Sequence, residues 1–272
     1  MMRALYTAAS GMISQQTNVD VISNNLANVN STGYKTQTAE FKSLLYQTLQ
    51  TRSTSANGDE KPIGAQVGTG TRNASITSHL AQGGFAETAN DFGFAISGKG
   101  LFAYQDASGK ISYTRNGDFK IGTMEDGGFM LCTSEGYPIL DVDEQPIVFS
   151  GDYTTSLLTA TADGEFCYPD EDNNPQSLGI RIGVWQFTNF AGLDQVGSTS
   201  YQATKASGDA ILEFGNDDIE KSEIRQGYLE MSNVQVADEM VNLIIAQRAY
   251  EMNSKAIQAA DDMLGQANQL KR

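Results

Sequence analysis

Residues that commonly bind metals or carry out redox chemistry are scarce in this sequence. Its 272 residues include one histidine, His79, and two cysteines, Cys132 and Cys167, which lie far apart and form no C-x-x-C pair. A single imidazole excludes multi-histidine metal sites, and this cysteine spacing indicates neither a zinc site nor a redox motif. The sequence does not decide whether the two cysteines form a disulfide. We expect no metal site and no cofactor.

Basic residues and long apolar runs are also few. There are 18 Lys and Arg against 33 Asp and Glu, which gives a formal net charge of −15. Binding to nucleic acid or to an anionic membrane needs a basic surface, so both are excluded as partners. No apolar run approaches the length of about 18 residues that a membrane-spanning helix needs. The first eleven residues faintly resemble a signal peptide, but Thr7, Ser10 and Gly11 interrupt the apolar run, and we expect no cleavage.

Charge is distributed unevenly along the chain. Residues 1–45 contain three bases and two acids, and residues 226–272 contain six acids and four bases, so the acidic excess lies in the centre. Between Arg3 and Lys35 the only charged residue is Asp20, and Ser, Thr, Asn and Gln take the places that Lys and Glu hold on a solvated helix. This pattern indicates that the N-terminal helix is covered on several sides.

Both ends of the chain show heptad repeats. The spacing predicts a helix over residues 2–30, ended by Thr32 and Gly33, and a second helix over 234–270, begun by a capping box of Ser232 and Gln235. Apolar positions every seven residues are typical of a coiled-coil seam. The candidate self-assembly residues on these seams are Leu5, Met12, Val19, Ile22, Leu26 and Val29 at the N-terminus, and Val236, Leu243, Tyr250, Ile257 and Leu264 at the C-terminus.

The central residues have the pattern of antiparallel β structure. Turn dipeptides recur every 8 to 10 residues at 108–109, 116–117, 126–127 and 135–136, and another lies at 163–164. Short apolar runs separate them, and residues 180–187 alternate as one strand with a single buried face. Residues 50–75 are predicted to form an extended loop.

Partial matches to chemical motifs occur in the sequence, but the neighbouring residues do not complete them. The Gly93 to Lys99 segment has the glycine and lysine spacing of a phosphate-binding loop but is followed by Gly100 instead of Ser or Thr. The segment starting at Asp170 begins like a calcium loop but has Pro175 where glycine is needed. His79 is predicted to be a surface residue. We expect no catalytic residues and no enzymatic activity.

Three long segments resemble the signatures of the bacterial flagellar rod and hook family. They read SNNLANVNSTGYK at 23–35, QGYLEMSNV at 226–234 and QRAYEMNSKA at 247–256, with further similarity in SGKGLF at 97–102 and YTRNGDF at 113–119. Residues 41–49 and 64–72 resemble the distal rod subfamily in particular. The residues that match the family motifs are Asn24, Asn25, Asn28, Gly33, Tyr34, Gln226, Gly227, Asn233, Gln247 and Arg248.

This resemblance implies a structural protein that polymerises helically into the distal rod, the shaft that carries torque from the flagellar motor to the hook. It implies export across the cytoplasmic membrane through the flagellar type III channel without a cleaved signal, and chain ends that are disordered in the monomer. The implied partners are further copies of the chain, proximal rod and hook subunits, and the rings that surround the rod.

The predicted fold class is α+β, with long terminal helices forming a coiled-coil layer and a central, mainly antiparallel β domain. The predicted divisions are an assembly domain at 1–45 plus 226–272, an extended loop at 46–80 and an outer β domain at 81–225. Two alternatives inside the family are a proximal rod subunit and a hook subunit. Outside it, the alternatives are a secreted, adhesin-like β module with a helical stalk, and a carbohydrate-active enzyme with paired carboxylates. The two helices could also simply pair with each other.

Overall fold

The computed structural model describes residues 2–50, 65–124, 127–151, 153–170, 174–216 and 218–269. Its contacts divide the chain into two compact units. We call Met1–Ala27, Gln37–Ser78 and Gln235–Arg272 the helical unit, and Asn28–Thr36 with His79–Val234 the β unit. Residues 28–36 and 226–234, which flank the two terminal helices in sequence, belong to the β unit, and the described residues 46–50 and 65–78 belong to the helical unit.

The two terminal helices are present and slightly shorter than predicted. Helix α1 spans Met2–Ala27 and helix α2 spans Val236–Gln269. The predicted capping box is wrong, because the Ser232 hydroxyl accepts a hydrogen bond from the Val234 N–H two residues before α2 begins. The first helical hydrogen bond instead runs from the Glu239 N–H to the Gln235 carbonyl. Asp238 and Glu239 then place negative charge at the positive end of the helix dipole.

The described part of the helical unit also contains four strands: β1 Gln37–Ser43, β2 Tyr46–Gln50, β3 Ala65–Gly68 and β4 Thr71–Ser78. β1 pairs antiparallel with β4, and β2 pairs antiparallel with β3. The prediction of an extended loop over 50–75 is therefore wrong at 65–68 and 71–75, where these strand pairs satisfy the backbone. Its central part, residues 51–64, lies outside the described residues.

The β unit is built from short strands, and every described strand pair in it is antiparallel. The strands are β5 Phe85–Glu87, β6 Phe94–Ser97, β7 Leu101–Gln105, β8 Ile111–Thr114, β9 Lys120–Thr123, β10 Phe129–Cys132, β11 Val148–Phe149, β12 Thr159–Ala160, β13 Glu165–Pro169, β14 Pro175–Arg181, β15 Val184–Gln186, β16 Asp194–Gln195, β17 Ser200–Gln202, β18 Ile211–Leu212, β19 Glu223–Gln226 and β20 Tyr228–Glu230. Two 3₁₀ turns lie at Thr155–Leu157 and Phe190–Gly192.

A six-stranded sheet in the order β16-β17-β8-β7-β15-β18 separates two apolar clusters in the β unit. Strand side chains alternate between the two faces of a sheet, so Phe102 and Tyr104 of β7 join the larger cluster while Leu101 and Ala103 join the smaller one. The first four residues of β7, Leu101 to Tyr104, are buried on both faces of the sheet, which explains why they are apolar or aromatic. The remaining strands form three-stranded sheets in the orders β11-β10-β9 and β12-β13-β14, and the pairs β19-β6 and β20-β5.

Most predicted hairpins are present, but the predicted strand at 180–187 is wrong. The Ser108–Gly109 turn joins β7 to β8, and β9 pairs with β10, the strand that follows it along the chain. Residues 180–187 instead divide into β14 and β15, which belong to different sheets. The break falls at Gly183, where a Cβ atom would lie 2.0 Å from the Trp185 ring. Only glycine leaves room for that ring as the chain changes sheets.

Cys132 and Cys167 are both buried free thiols, so the structure answers the question that the sequence left open. His79 lies at the surface as expected. Within the described ranges, neither helix is both long enough and apolar enough to cross a membrane. Among those residues there is also no group of three or more His, Cys, Asp or Glu side chains placed to hold a metal ion.

Candidate assembly surface and chain-end anchors

The two helices pack antiparallel within the helical unit. A Cβ atom on Gly11 would lie 3.0 Å from the Asn253 side chain, and the Asn25 amide donates a hydrogen bond to the Glu239 carboxylate at 3.3 Å. Early residues of α1 therefore lie beside late residues of α2. The buried side of α2 carries Ala246 and Ala260, whose small side chains let α1 approach closely.

The predicted seam residues occupy different environments. Ile22 is buried, and several others are half-buried: Leu5, Met12, Val19, Leu26, Val29, Leu243 and Ile257. Val236, Tyr250 and Leu264 are exposed at the edge of the buried stripe of α2. Pairing between α1 and α2 thus leaves the predicted C-terminal row only partly covered.

A second apolar row, which the heptad analysis did not select, lies on the exposed side of α2. It consists of Met240, Val241, Ile244, Ile245 and Met252, and Ile245 is 61% exposed. Exposed apolar side chains also occur on α1, on β1 and β2, and in the link between these two strands, at Tyr6, Ile13, Phe41, Leu45, Tyr46 and Leu49. An extensive exposed apolar surface is typical of an interaction site.

Two depressions interrupt this surface. One, of about 290 Å³, lies between α1, β1 and α2 and includes Val21, Phe41 and Ile245 in its lining. The other, of about 400 Å³, lies between the two helices and is lined by Gln16, Val19, Gln247, Tyr250 and Glu251. Gln247 of the family motif thus lines a depression, and Arg248 forms an exposed ion pair with Glu251 at 2.8 Å.

The uncharged polar side of α1 bonds to the strands of its own unit. Ser14 and Thr71 share a hydroxyl–hydroxyl hydrogen bond at 3.2 Å, and the Asn73 amide donates to the Thr17 hydroxyl at 2.6 Å. A charged residue at these positions would be buried without compensation. The scarcity of charge between Arg3 and Lys35 therefore has a reason within the chain.

Asn25, one of the family-motif residues, holds the first residue of β1. Its amide donates to the Gln37 carbonyl at 2.8 Å, and its side-chain oxygen accepts from the Gln37 N–H at 2.9 Å. These two bonds replace the pair that a neighbouring strand would make. The adjacent Asn24 is exposed and makes a longer side-chain contact to Gln37, at 3.5 Å.

The motif residues that follow α1 form a turn packed into the β unit. Ser31 donates its backbone N–H to the Asn28 carbonyl and its hydroxyl to the Asn28 side chain. Gly33 has φ of +69°, and a Cβ there would lie 2.6 Å from the Asn116 backbone nitrogen, so glycine is required. Tyr34 is fully buried.

A buried ion cluster lies directly after this turn. Glu230 accepts from the Lys35 ammonium at 2.7 Å and from Arg115 Nε at 2.5 Å, and all three side chains are at most 2% exposed. Arg115 also donates to the carbonyls of Ile96, Gly98 and Gly100, while Lys35 donates to the Ala81 carbonyl. The Gly93–Lys99 motif therefore presents carbonyl oxygens to a cation, which is the opposite of a phosphate cradle.

Within the ion cluster, the pKa values of both Glu230 and Lys35 are lowered. Burial alone would raise the pKa of Glu230, but the charges of Arg115 and Lys35 outweigh burial and hold that pKa below its usual value of 4.5. Burial lowers the pKa of Lys35, and the nearby Arg115 lowers it further, so the attraction of Glu230 offsets the shift only in part.

Two further motif side chains fasten the segment that precedes α2. Gln226 accepts from the Ala160 N–H at 2.7 Å and donates to the carbonyls of Asp91 and Leu158. Asn233 accepts from both the N–H and the hydroxyl of Thr36 and donates to the carbonyls of His79 and Ala81. Gly227, with φ of +78°, makes the turn between β19 and β20.

Sequence analysis missed Lys35, Arg115 and Glu230 as a group. Each lies inside one of the quoted family segments, but 115 and 195 residues separate Glu230 from its two partners. The signal that could have found them is a charged residue within a stretch that otherwise contains almost none. Taken together, these contacts define an α+β protein. Its terminal helices form a helical unit with an exposed apolar face, and residues 28–36 and 226–234 are anchored in the β unit.

Comparison with known proteins identifies the family. A profile described as "Flagella basal body rod protein" matches residues 5–35, "Flagellar hook protein FlgE/F/G D1 domain" matches 95–168, and "Flagellar basal body rod FlgEFG protein C-terminal" matches 225–270. These regions contain the helical ends and all three members of the ion cluster.

Full-length relatives agree with the profiles. The chain is 45% identical over its whole length, and that of the relative, to a "Flagellar basal-body rod protein FlgG" of Borreliella burgdorferi. It is 39% and 37% identical to proteins of the same name from Caulobacter vibrioides and Buchnera aphidicola, with 99% of this chain and all of each relative covered. The chain therefore belongs to the flagellar basal-body rod protein family, whose members are structural proteins and are not known as enzymes.

Proposed function

We propose that this chain is a structural subunit of the distal rod, which polymerises helically and transmits torque from the flagellar motor to the hook. The observation that carries the proposal is the exposed apolar row Met240, Val241, Ile244, Ile245 and Met252 on α2, in a chain with a net charge of −15. When a neighbouring subunit covers such a row, the assembly is stabilised by about 25 cal/mol per Å² of buried apolar area.

In this proposal the helical ends of many subunits form an inner coiled-coil layer. The seam residues from Leu5 to Val29 and from Val236 to Leu264 contribute the contacts within and between subunits. Non-closing, head-to-tail contacts of this kind produce a helical filament. Gln247 and Arg248, which lie at the surface, are available to neighbouring copies.

The divisions of the chain take separate roles in the same proposal. Segments 1–45 and 226–272 carry assembly, residues 46–80 brace adjacent subunits, and residues 81–225 form the outer layer. The exposed apolar side chains of Tyr46 and Leu49 on β2, and of Leu45 just before β2 at 88% exposure, support the bracing role. The acidic β unit keeps most of the charge where water can reach it.

The proposed partners are further copies of the chain, proximal rod and hook subunits, and the surrounding rings. Export without a cleaved signal is part of the proposal. Names of the full-length relatives favour the distal rod over a proximal rod or hook subunit. The full-length similarity to rod proteins also favours a rod subunit over an adhesin-like β module with a helical stalk.

One substitution pair tests the proposal. Ile245→Asp places a charge in the exposed row of α2, and Val196→Asp places the same charge at an equally exposed position of the β unit, 61% against 60%. A buried isoleucine contributes about 1.5–3 kcal/mol, so Ile245→Asp should raise the concentration needed for sedimentable polymer at least about tenfold. It should also abolish incorporation into rods and swimming.

The control variant Val196→Asp should polymerise and support swimming as the unsubstituted chain does. Circular dichroism should show the same helix content for both variants, because neither position is buried in the monomer. Equal polymerisation of the two variants would contradict the proposal.

A further inference from the structure

The segment that follows α1 depends for its hydrogen bonds on the segment that precedes α2. Gly33 donates its N–H to the Glu230 carbonyl at 2.8 Å, and Lys35 donates to the Glu230 carboxylate at 2.7 Å. Thr36 donates both its N–H and its hydroxyl to the Asn233 side chain, at 2.8 and 2.7 Å. Most of the hydrogen bonds described for residues 33–36 therefore end on two residues of the C-terminal segment.

The dependence is not mutual. Residues 223–231 are bound to the rest of the β unit by backbone hydrogen bonds. β19 pairs with β6, and β20 pairs with β5. In addition, the N–H groups of Ile224, Gly227 and Met231 donate to the carbonyls of Ala162, Gly93 and Gly84, respectively. The Glu230 carboxylate also accepts from Arg115 and from the Gly83 N–H without any help from Lys35. None of these contacts involves residues 31–36.

The buried charge of Lys35 also requires that Glu230 be in place before Lys35 is buried. Lys35 has a fully buried ammonium group, which donates to the Glu230 carboxylate and to the Ala81 carbonyl. An ammonium buried without a carboxylate costs several kcal/mol. Glu230, by contrast, is already paired with Arg115 when Lys35 is absent.

We propose that the two chain ends dock on the β unit in a fixed order. Residues 223–234 bind first and complete the binding site for residues 31–36. Residues 31–36 bind second and are held by the ion pair between Lys35 and Glu230, which we call the latch. A chain whose C-terminal segment has not reached the β unit therefore keeps Tyr34 and Lys35 in water. This inference goes beyond the proposed function and does not rest on it.

Native-state hydrogen exchange on the unsubstituted full-length chain tests the order. In rising, sub-denaturing urea, the amides of Gly33 and Thr36 should become exchangeable before those of Ile224, Gly227 and Met231, and with a smaller dependence on urea. If both groups open together with one urea dependence, or if the C-terminal group opens first, the proposal is overturned. This measurement needs no variant and so cannot fail through misfolding.

A substitution tests the latch separately. Lys35→Met removes the cation but leaves Glu230 paired with Arg115, so exchange in residues 31–36 should rise about ten- to hundredfold while residues 223–231 keep their protection. The matched control Lys99→Met removes an exposed partner, paired with Glu220 at 3.8 Å, and should leave both segments unchanged. Equal loss of protection in both segments, or no change in either, would overturn the latch.

Discussion

Glu230 is the residue on which most of the chain-end contacts converge. Its backbone carbonyl accepts from Gly33, and its two carboxylate oxygens accept from Lys35, Gly83 and Arg115. A buried charge is tolerated only when it is paired and its hydrogen-bonding capacity is used. A glutamate satisfies all of these partners with one side chain, which no neutral residue of the same size can do.

At the residue scale we predict a pH-dependent loss of stability that Glu230 controls. Near pH 7, Glu230→Gln should lower the free energy of unfolding by about 3–5 kcal/mol, because two buried cations lose their counter-charge. The pKa of Glu230 is lowered in the folded state, so its contribution is fully present above about 4.5 and is lost as the pH falls through the lower, folded-state pKa.

Urea unfolding between pH 8 and pH 3 checks this prediction. The curves for the unsubstituted chain and for Glu230→Gln should converge below pH 4.5. As a control, Glu220→Gln, at an exposed ion pair, should follow the unsubstituted chain at every pH. A difference between the unsubstituted chain and Glu230→Gln that stays constant down to pH 3 would contradict the assignment.

At the scale of the elements, α1 is joined to the β1–β4 pair by polar contacts as well as apolar ones. Ser14, Thr17 and Asn25 each meet a residue of these strands. The helix consequently carries uncharged polar residues on a side that is covered, where an ordinary surface helix would carry Lys and Glu. Its low intrinsic helix propensity is offset by these tertiary contacts with the strands.

We predict that Asn25→Ala destabilises the helical unit and that Asn24→Ala does not. Asn25→Ala leaves the N–H and the carbonyl of Gln37 without the partners that Asn25 provides, which should cost about 1–3 kcal/mol. Asn24 is exposed and has the same residue type and helix propensity, so it controls for the change in helix formation. Urea unfolding followed by helix circular dichroism measures both variants, and equal midpoints would rule out the proposed role of Asn25.

At the scale of the whole molecule, the division into two units changes where proteases are expected to cut the chain ends. The family resemblance implies ends that are disordered in the monomer, which from sequence alone places rapid cleavage within the outer 35–45 residues on each side. Tyr34 and Lys35 are buried in the β unit, as are Ile224 and Glu230. Protection should therefore extend outward to about residue 28 and about residue 234.

Limited proteolysis of the dilute monomer, with fragment masses, tests this prediction. The stable core should begin near residue 28 and end near residue 234, because the ion cluster and the Asn233 contacts hold both segments. Cleavage inside 31–36 that precedes all other cuts would show that these contacts are too weak. A monomer resistant over α1 and α2 as well would show that the helices need no neighbouring subunits.

The sequence by itself determined the features that depend on local patterns. The heptad spacing placed α1 and α2, and the turn dipeptides placed β7 with β8 and β9 with β10, because the periods of helices and strands differ and are visible within short windows. The motif residues identified the family before any contact was known. None of these conclusions required knowledge of which residues meet.

Only the tertiary structure decided what the motif residues do. Glu230 meets Lys35 and Arg115 across 195 and 115 residues of chain, and such partners have no local signature. The same holds for Gly183, where the proximity of Trp185 divides one apparent strand between two sheets. Which helix face is left exposed was also decided by packing, because the α2 sequence offers two apolar rows and α1 covers only part of one.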